Sequence, residues 1–462
     1  MSSDNSGKYY KQLRTTVRVY ESHFVNGTTC YLGEKEFLEI IEHYENEDQL
    51  EEALTAANYA LEYHPFSVDF FIIKASILLE LLHPEAALDI VIQGRALGFL
   101  YTDLLLLEAE CHMLLNNLDE ALHATALAKE NAKADEKDEV YFSEALVYEH
   151  FQMFNGCFDS LSNVLRYNPR HANGLLKIWW CTEMTERYRE SCKLYHELID
   201  RDPYNAQLWY NLGHAYACLE EYDKSIDAFE YAYLAEPKFE FAYRDCAEIC
   251  MKADKYDLAL QSYRELMEFT IPDAEILSKC GYCHTNLENY TMARDMYTKA
   301  IALEPNNSKA CFGMAINAFY EGRMKEALSS VTKAISLDDS FEEYMLLKAN
   351  ILADMLRIAD AESAFNQAIE MAPENAQCWI KYFSYLLSAG NFERAFHLVE
   401  EARFYHQEKE IITAHIVALC AVGKNNEAQS AFLTAMSEDL FEPGLYSDLL
   451  PESVYNVYSD IA

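Results

Sequence analysis

Glycine and proline are scarce in this chain, at 14 and 10 of 462 residues. Sandwiches and barrels need many more, because each tight reversal asks for a residue that reaches or presets unusual dihedrals. Basic side chains are also few: 37 Lys and Arg stand against 76 Asp and Glu, a formal charge of −39. So negative a chain repels phosphate backbones and anionic headgroups, which speaks against nucleic-acid or membrane-surface binding and for partners with basic residues. The same charge also serves as a solvated, solubilising surface. Long apolar runs are missing: Leu104–Leu107 is typical of the longest, far short of the roughly 20 residues of a membrane span. The amino-terminal MSSDNSGKYYKQLRTTVRVY lacks the apolar core of a signal peptide, a lipidation pattern and transit-peptide character. Thirteen cysteines, an odd number, fit buried thiols in a reducing compartment better than a disulfide framework. A cytoplasmic location is therefore expected.

Chemical motifs are absent too. No phosphate loop, GxGxxG, HExxH, GxSxG or zinc-finger spacing occurs, so no catalytic residues, no cofactor and no enzymatic activity are expected. Carboxylate pairs such as Glu220-Glu221 and Asp338-Asp339 read as solvated turns or helix starts. The nearest approach to a metal site is Cys246, Cys250, Cys280, Cys283 and His284, but four of these five fall at packing positions of the pattern described next. Buried packing is the expectation there, and a metal-binding or enzyme-associated module the rival.

What the chain does have is a beat. Small residues recur at Ala53, Ala87, Ala121, Cys157, Ser191, Ser225, Ala259, Ala293, Ala327, Ala361, Ala395 and Ala428, almost always 34 apart. The exceptions are a step of 36 before Cys157 and one of 33 before Ala428. Six of the ten prolines (65, 169, 203, 237, 305 and 373) share one place in the period, where each separates two helices. A fixed period of this length marks a stacked array, which grows by adding units instead of enlarging one core.

Counted from Ala206, residues Trp209, Leu212, Gly213 and Tyr216 occupy positions 4, 7, 8 and 11, one face of a first helix. Ser225, Phe229 and Ala232 occupy 20, 24 and 27, one face of a second, and Pro237 follows at 32. Small residues at 8, 20 and 27 let the two helices approach, while large ones at 4, 7, 11 and 24 fill the space between units. The unit from Ala274 repeats this with Leu277, Cys280, Gly281, Tyr290, Ala293, Tyr297, Ala300 and Pro305. Those residues resemble the tetratricopeptide repeat family. The resemblance implies an all-α, right-handed superhelical solenoid of stacked antiparallel helix pairs, about twelve units over residues 34–442. Residues 1–33, with Lys8, Lys11, Arg14 and Arg18, are expected to form an arm or irregular cap. Residues 443–462 should form an acidic cap or tail, with Val454, Tyr455, Tyr458 and Ile461 on one helical face. Local opening of the helix spacing is expected where Trp179 and Phe383 occupy position 8, and where Leu198, Leu266 and Glu401 stand in for the small residue at 27.

The resemblance also implies a function. Members of the family hold extended peptides or partner segments on the inner wall, using positions 2, 5, 6, 9, 12 and 13 of the first helix. In this chain those positions supply Lys177, Trp180, Tyr210, Asn211, His214, Arg244, Lys279, Tyr282, Phe312, Ile316 and Phe319, aromatic anchors beside a few donors. Earlier units present an acidic wall of Glu39, Glu42, Glu45, Asp69, Glu110 and Glu149. The family's carboxylate clamp is not matched, since only Asn211, Arg244 and Lys279 come near it and out of register. The expected function is a non-enzymatic scaffold or adaptor for another protein or peptide, with self-assembly into a homo-oligomer as a further reading.

Overall fold

The computed structural model describes residues 13–22 and 32–441; Lys8, Lys11 and the expected cap at 443–462 lie outside them. Among the described residues there are helices and no strands. They form two compact units that part between Ala242 and Tyr243. In the first, α1 (13–22) precedes α2 (Glu34–Asn46), α3 (Leu50–Tyr63), α4 (Val68–Glu80), α5 (Pro84–Ala96), α6 (Thr102–Leu114) and α7 (Leu118–Asn131). Then come α8 (Lys137–His150), α9 (Phe154–Tyr167), α10 (Ala172–Thr185), α11 (Tyr188–Ile199), α12 (Ala206–Cys218) and α13 (Tyr222–Ala235). Helix α14 (Glu240–Lys252) runs through the parting. The second unit continues with α15 (Tyr256–Leu266), α16 (Ala274–Asn286), α17 (Tyr290–Leu303), α18 (Ser308–Tyr320), α19 (Met324–Leu337) and α20 (Glu342–Asp354). It ends with α21 (Ile358–Met371), α22 (Ala376–Ser388), α23 (Phe392–Ala402), α24 (Lys409–Ala421) and α25 (Asn425–Ser437).

Helices pair in the expected order, α2 with α3 through α12 with α13 in the first unit and α16 with α17 through α24 with α25 in the second, and the whole 34-residue ladder is buried at 0–1% exposure. Burial explains the size limit: these residues face a partner helix with no room for a longer side chain. Where the ladder holds serine, the hydroxyl is satisfied. Ser225 Oγ donates to the Gly213 carbonyl at 2.7 Å, and Ser191 Oγ lies 2.8 Å from Thr182 Oγ1. Position 8 meets position 24 face to face. A Cβ on Gly213 would lie 2.7 Å from the Phe229 ring, and one on Gly281 would lie 2.8 Å from Tyr297. Tryptophan at position 4 ties consecutive units: Trp209 Nε1 donates to Pro203 O at 2.8 Å, and Trp379 Nε1 to Pro373 O at 2.9 Å.

The turns inside the pairs follow one rule. Position 15 of every unit has a positive φ: Asp48, Leu82, Asn116, Gln152, Glu186, Glu220, Asp254, Glu288, Gly322, Leu356, Gly390 and Gly423, between 54° and 80°. The left-handed residue lets the next amide turn back onto the helix it has just left, as in Asn289 N to His284 O at 2.8 Å and Arg357 N to Leu352 O at 2.9 Å. Only three of the twelve are glycine, so the tertiary stack imposes a conformation that the other side chains resist. Five first helices, α10, α12, α16, α18 and α22, start on a side-chain cap. Asp273, Asn307 and Asn375 accept from the amides of Ile276, Ala310 and Gln377.

The departures behave as steric size predicts. Helices α10 and α11 share far fewer close approaches than α12 and α13, and α22 with α23 also fewer, where Trp179 and Phe383 fill position 8. One expectation is corrected. Ala402, not Glu401, faces the partner helix in α23; Ala402 is fully buried and Glu401 exposed, so that spacing opens through Phe383 alone. At the start, Leu13, Val17 and Tyr20 of α1 are buried in one cluster with Phe37, Ile40 and Tyr44.

Candidate partner-binding faces

The inner-wall positions are distributed over both units, and each unit is built separately. In the first, Trp180 of α10 is 40% exposed and rests edge-on against Phe154 at 4.8 Å. Tyr210 of α12 is half-buried among His214, Phe229 and Phe239, with ring centroids 4.5, 5.6 and 4.8 Å away. His214 also meets Trp179 at 5.1 Å. Asn211 turns inward. It is buried, and its Nδ2 donates to Leu175 O at 2.9 Å, joining α12 to the first helix of the preceding pair.

In the second unit Tyr282 is 47% exposed, its ring 6.0 Å from Tyr256, whose hydroxyl donates to Asp254. Phe312 lies against Tyr344 at 4.5 Å; Ile316 and Phe319 are half-buried on the same helix, and Phe319 contacts Tyr320. Aromatic rings with one face packed and one edge open are preordered, so they lose little rotamer freedom when a ligand covers them.

The cations are not idle donors. Lys177 Nζ sits 2.7 Å from both carboxylate oxygens of Glu149 on the preceding first helix. Arg244 Nη2 contacts Asp273 Oδ2 at 3.0 Å, and Lys279 pairs with Glu248 and, at 2.8 Å, with Glu275. Burial by itself would lower the Lys279 ammonium, yet Glu248 and Glu275 together raise it above its ordinary value. Each cation is thus largely neutralised by this chain's own acids. A ligand carboxylate would have to compete with them, and a basic ligand would share them.

The acidic wall has a denser centre than the pattern suggested. Burial raises the Glu45 carboxyl, with Glu80 and Glu42 adding to it, and burial with Glu80 raises Glu110. Carboxylates from α2, α4 and α6 therefore repel across successive first helices. Glu80 was absent from the sequence candidates, although position 13, which it occupies, belongs to the inner-wall set; Glu39 is within 3.7 Å of Lys35.

Cys246, Cys250, Cys280 and Cys283 are buried, and burial pushes the Cys280 and Cys283 thiols up to about 12. His284 is lowered by burial. Among the described residues no three His, Cys, Asp or Glu side chains converge as a metal site would require, and no helix is long and apolar enough to cross a membrane.

Comparison with known proteins places these features. Models of the tetratricopeptide repeat match residues 185–242 and 346–408, and a second such model matches residues 274–307. BBSome complex member BBS4 of Bos taurus is 20% identical over 289 residues, covering 62% of this chain and 54% of that protein. Anaphase-promoting complex subunit 3 of Schizosaccharomyces pombe is 22% identical, covering 40% of this chain and 28% of that protein. DnaJ homolog subfamily C member 7 of Mus musculus is 30% identical over 105 residues, 23% of this chain and 21% of that protein. This chain thus spans about half the length of the first of these relatives and less than a third of the other two. Among solved structures, a chain of the APC/C hetero-tetramer Cut9-Hcn1 aligns over 90% of this chain and 95% of its own length, with 13% identity and a TM-score of 0.41.

Proposed function

Starting from a chain that belongs to the tetratricopeptide repeat family, we propose that it is a non-enzymatic, cytoplasmic scaffold or adaptor whose first-helix faces hold a partner protein or peptide segment. Relatives named as members of the BBSome and of the anaphase-promoting complex support the reading of an interaction protein. The observation that carries it is the set of open aromatic edges, Trp180 at 40% and Tyr282 at 47% exposure, on first-helix positions bordered by acid-neutralised cations. Such rings offer large contact area at low entropic cost. In each unit the proposed contacts are those on its own wall: Lys177, Trp180, Tyr210 and His214 in the first, with Asn211 bracing the wall from inside. Arg244, Lys279, Tyr282, Phe312, Ile316 and Phe319 are those of the second.

The partner proposed is a segment with basic residues. The repelling carboxylates of Glu42, Glu45, Glu80 and Glu110 would be relieved by a Lys or Arg laid among them, and a charge of −39 would speed its approach at low salt. Affinity capture from native lysate with mass spectrometry identifies the segment; calorimetry with the synthetic peptide then tests the faces. Trp180→Ala and Tyr282→Ala should each weaken binding with helicity unchanged. Full affinity in a Tyr210→Ala, Arg244→Ala, Tyr282→Ala triple variant would move the site to the outer helices or the ends.

A further inference from the structure

Cys157 is the one cysteine in the buried ladder of position 20, where nine other units use alanine and two use serine. It lies on α9, and directly across the junction to the next unit stands Cys181 of α10. Their sulfur atoms are 3.2 Å apart, and the side chains are 1% and 0% exposed. The corresponding place on α12 and on α24 is filled by Ala215 and Ala418, so packing does not require sulfur on either side. No third metal-ligating group converges on them among the described residues. Two thiols, held together where two methyl groups would serve, make a dithiol.

We propose that Cys157 and Cys181 are an oxidative modification site: a hydroperoxide converts them to a disulfide that staples α9 to α10 across a repeat junction, and a dithiol reductant reverses it. In the first step the Cys181 sulfur attacks one peroxide oxygen. The O–O bond breaks, and the thiol proton leaves with the other oxygen as water or alcohol. The sulfenic acid so formed is attacked by the Cys157 sulfur; the S–S bond forms, the S–O bond breaks, and hydroxide departs as water with the Cys157 proton. Two thiols and one hydroperoxide give one disulfide, one water and one alcohol, or a second water. The sulfurs must close by about 1.2 Å to reach disulfide length.

The order of events follows from the surroundings. The hydrogen bond between the two thiols, with burial, holds Cys157 well above the ordinary thiol range, while the same bond lowers Cys181. Burial and Glu149 oppose that lowering of Cys181, and Lys177, one turn before it, adds to it. The staple would also bear on a helix that its own partner holds only loosely. Trp179 keeps α10 away from its own partner α11, so a bond to α9 would fix α10 to the preceding pair and hold Lys177 and Trp180 in place.

The test uses the folded full-length chain. Graded hydrogen peroxide is followed by alkylation and non-reducing peptide mapping, with exposed Cys218 as the marker of dose. The expected result is a crosslinked 157–181 peptide, lost on dithiothreitol and absent from Cys157→Ala and Cys181→Ala. Both variants carry the alanine that equivalent positions already use, so they should fold. Oxidation should raise the thermal midpoint of the wild-type chain and leave both variants unmoved. If Cys280 and Cys283, equally buried, are consumed before the crosslink appears, the proposal is overturned. It is overturned equally if the crosslink forms only after urea unfolding.

Discussion

Adding a single methyl group at Gly213 probes the close approach that defines the repeat. A Cβ at this position would stand 2.7 Å from both Cδ1 and Cε1 of Phe229 and 3.0 Å from Cγ, so it meets the flat of the ring and not the tip of a flexible chain. Phe229 is fully buried and has no solvent to swing into. Two effects oppose each other in Gly213→Ala. Helix propensity favours alanine by about 1 kcal/mol in a helix interior. Overpacking a filled core costs about 1–3 kcal/mol. The net expectation is a loss of about 0–2 kcal/mol, and more for Gly213→Leu. Urea unfolding followed by circular dichroism measures it. Phe229→Leu in the Gly213→Ala background should recover part of the loss, because the shorter side chain yields the volume the methyl needs, whereas Phe229→Leu alone should destabilise by opening a cavity. A Gly213→Ala protein more stable than wild type by about 1 kcal/mol would mean that propensity acts unopposed. The face-to-face packing of positions 8 and 24 would then be refuted.

Leu356 holds φ 57° while 83% exposed, so Leu356→Gly should stabilise by about 0.5–1 kcal/mol, the left-handed strain less the added chain entropy, read from the urea midpoint. The Tyr263 hydroxyl is buried with no hydrogen-bond partner among the described residues, and Tyr263→Phe should be neutral or stabilising by about 1 kcal/mol; a loss above that would reveal a partner such as buried water. Glu45 and Glu110 have carboxyls raised in the folded chain, so they bind protons more tightly folded than unfolded and cost stability at neutral pH. Glu80→Gln should therefore raise the thermal midpoint at pH 7, and the gain should fade as pH falls through the raised folded values toward the ordinary carboxyl range; a gain independent of pH would sink the assignment. Once a partner segment is known, Tyr282→Ala should weaken its binding by about 1–3 kcal/mol by calorimetry, and wild-type association should slow as salt rises.

The order of helices, the pairing and the buried ladder were legible in the sequence because all three rest on local periodicity. A residue at position 8 or 20 faces its partner helix whenever 34 residues close one unit, and Gly213 and Ser225 therefore had no other face to occupy. Site residues were only half legible. Position numbers say which side of a helix a residue is on, but not how far the neighbouring unit reaches over it. Asn211 was expected on the open wall and is buried by a bond to the carbonyl of Leu175, 36 residues earlier. Trp180, three residues after Lys177 and next to it in the inner-wall set, does keep an open edge.

Sequence alone determined the all-α class, the register and the candidate faces, since amphipathic periodicity and size limits act within one unit and its immediate neighbour. Tertiary structure alone decided four further things. It neutralised Lys177, Arg244 and Lys279 with acids on, or capping, adjoining first helices. It drew Glu42, Glu45, Glu80 and Glu110 into mutual repulsion. It imposed left-handed turns on side chains that resist them, and it set Cys157 against Cys181. Each of these depends on distances between groups on different helix pairs, 24 or more residues apart in the chain, or on backbone strain that only the packed stack can hold. The angle and spacing at which one pair seats on the next set those distances, and no local pattern encodes them.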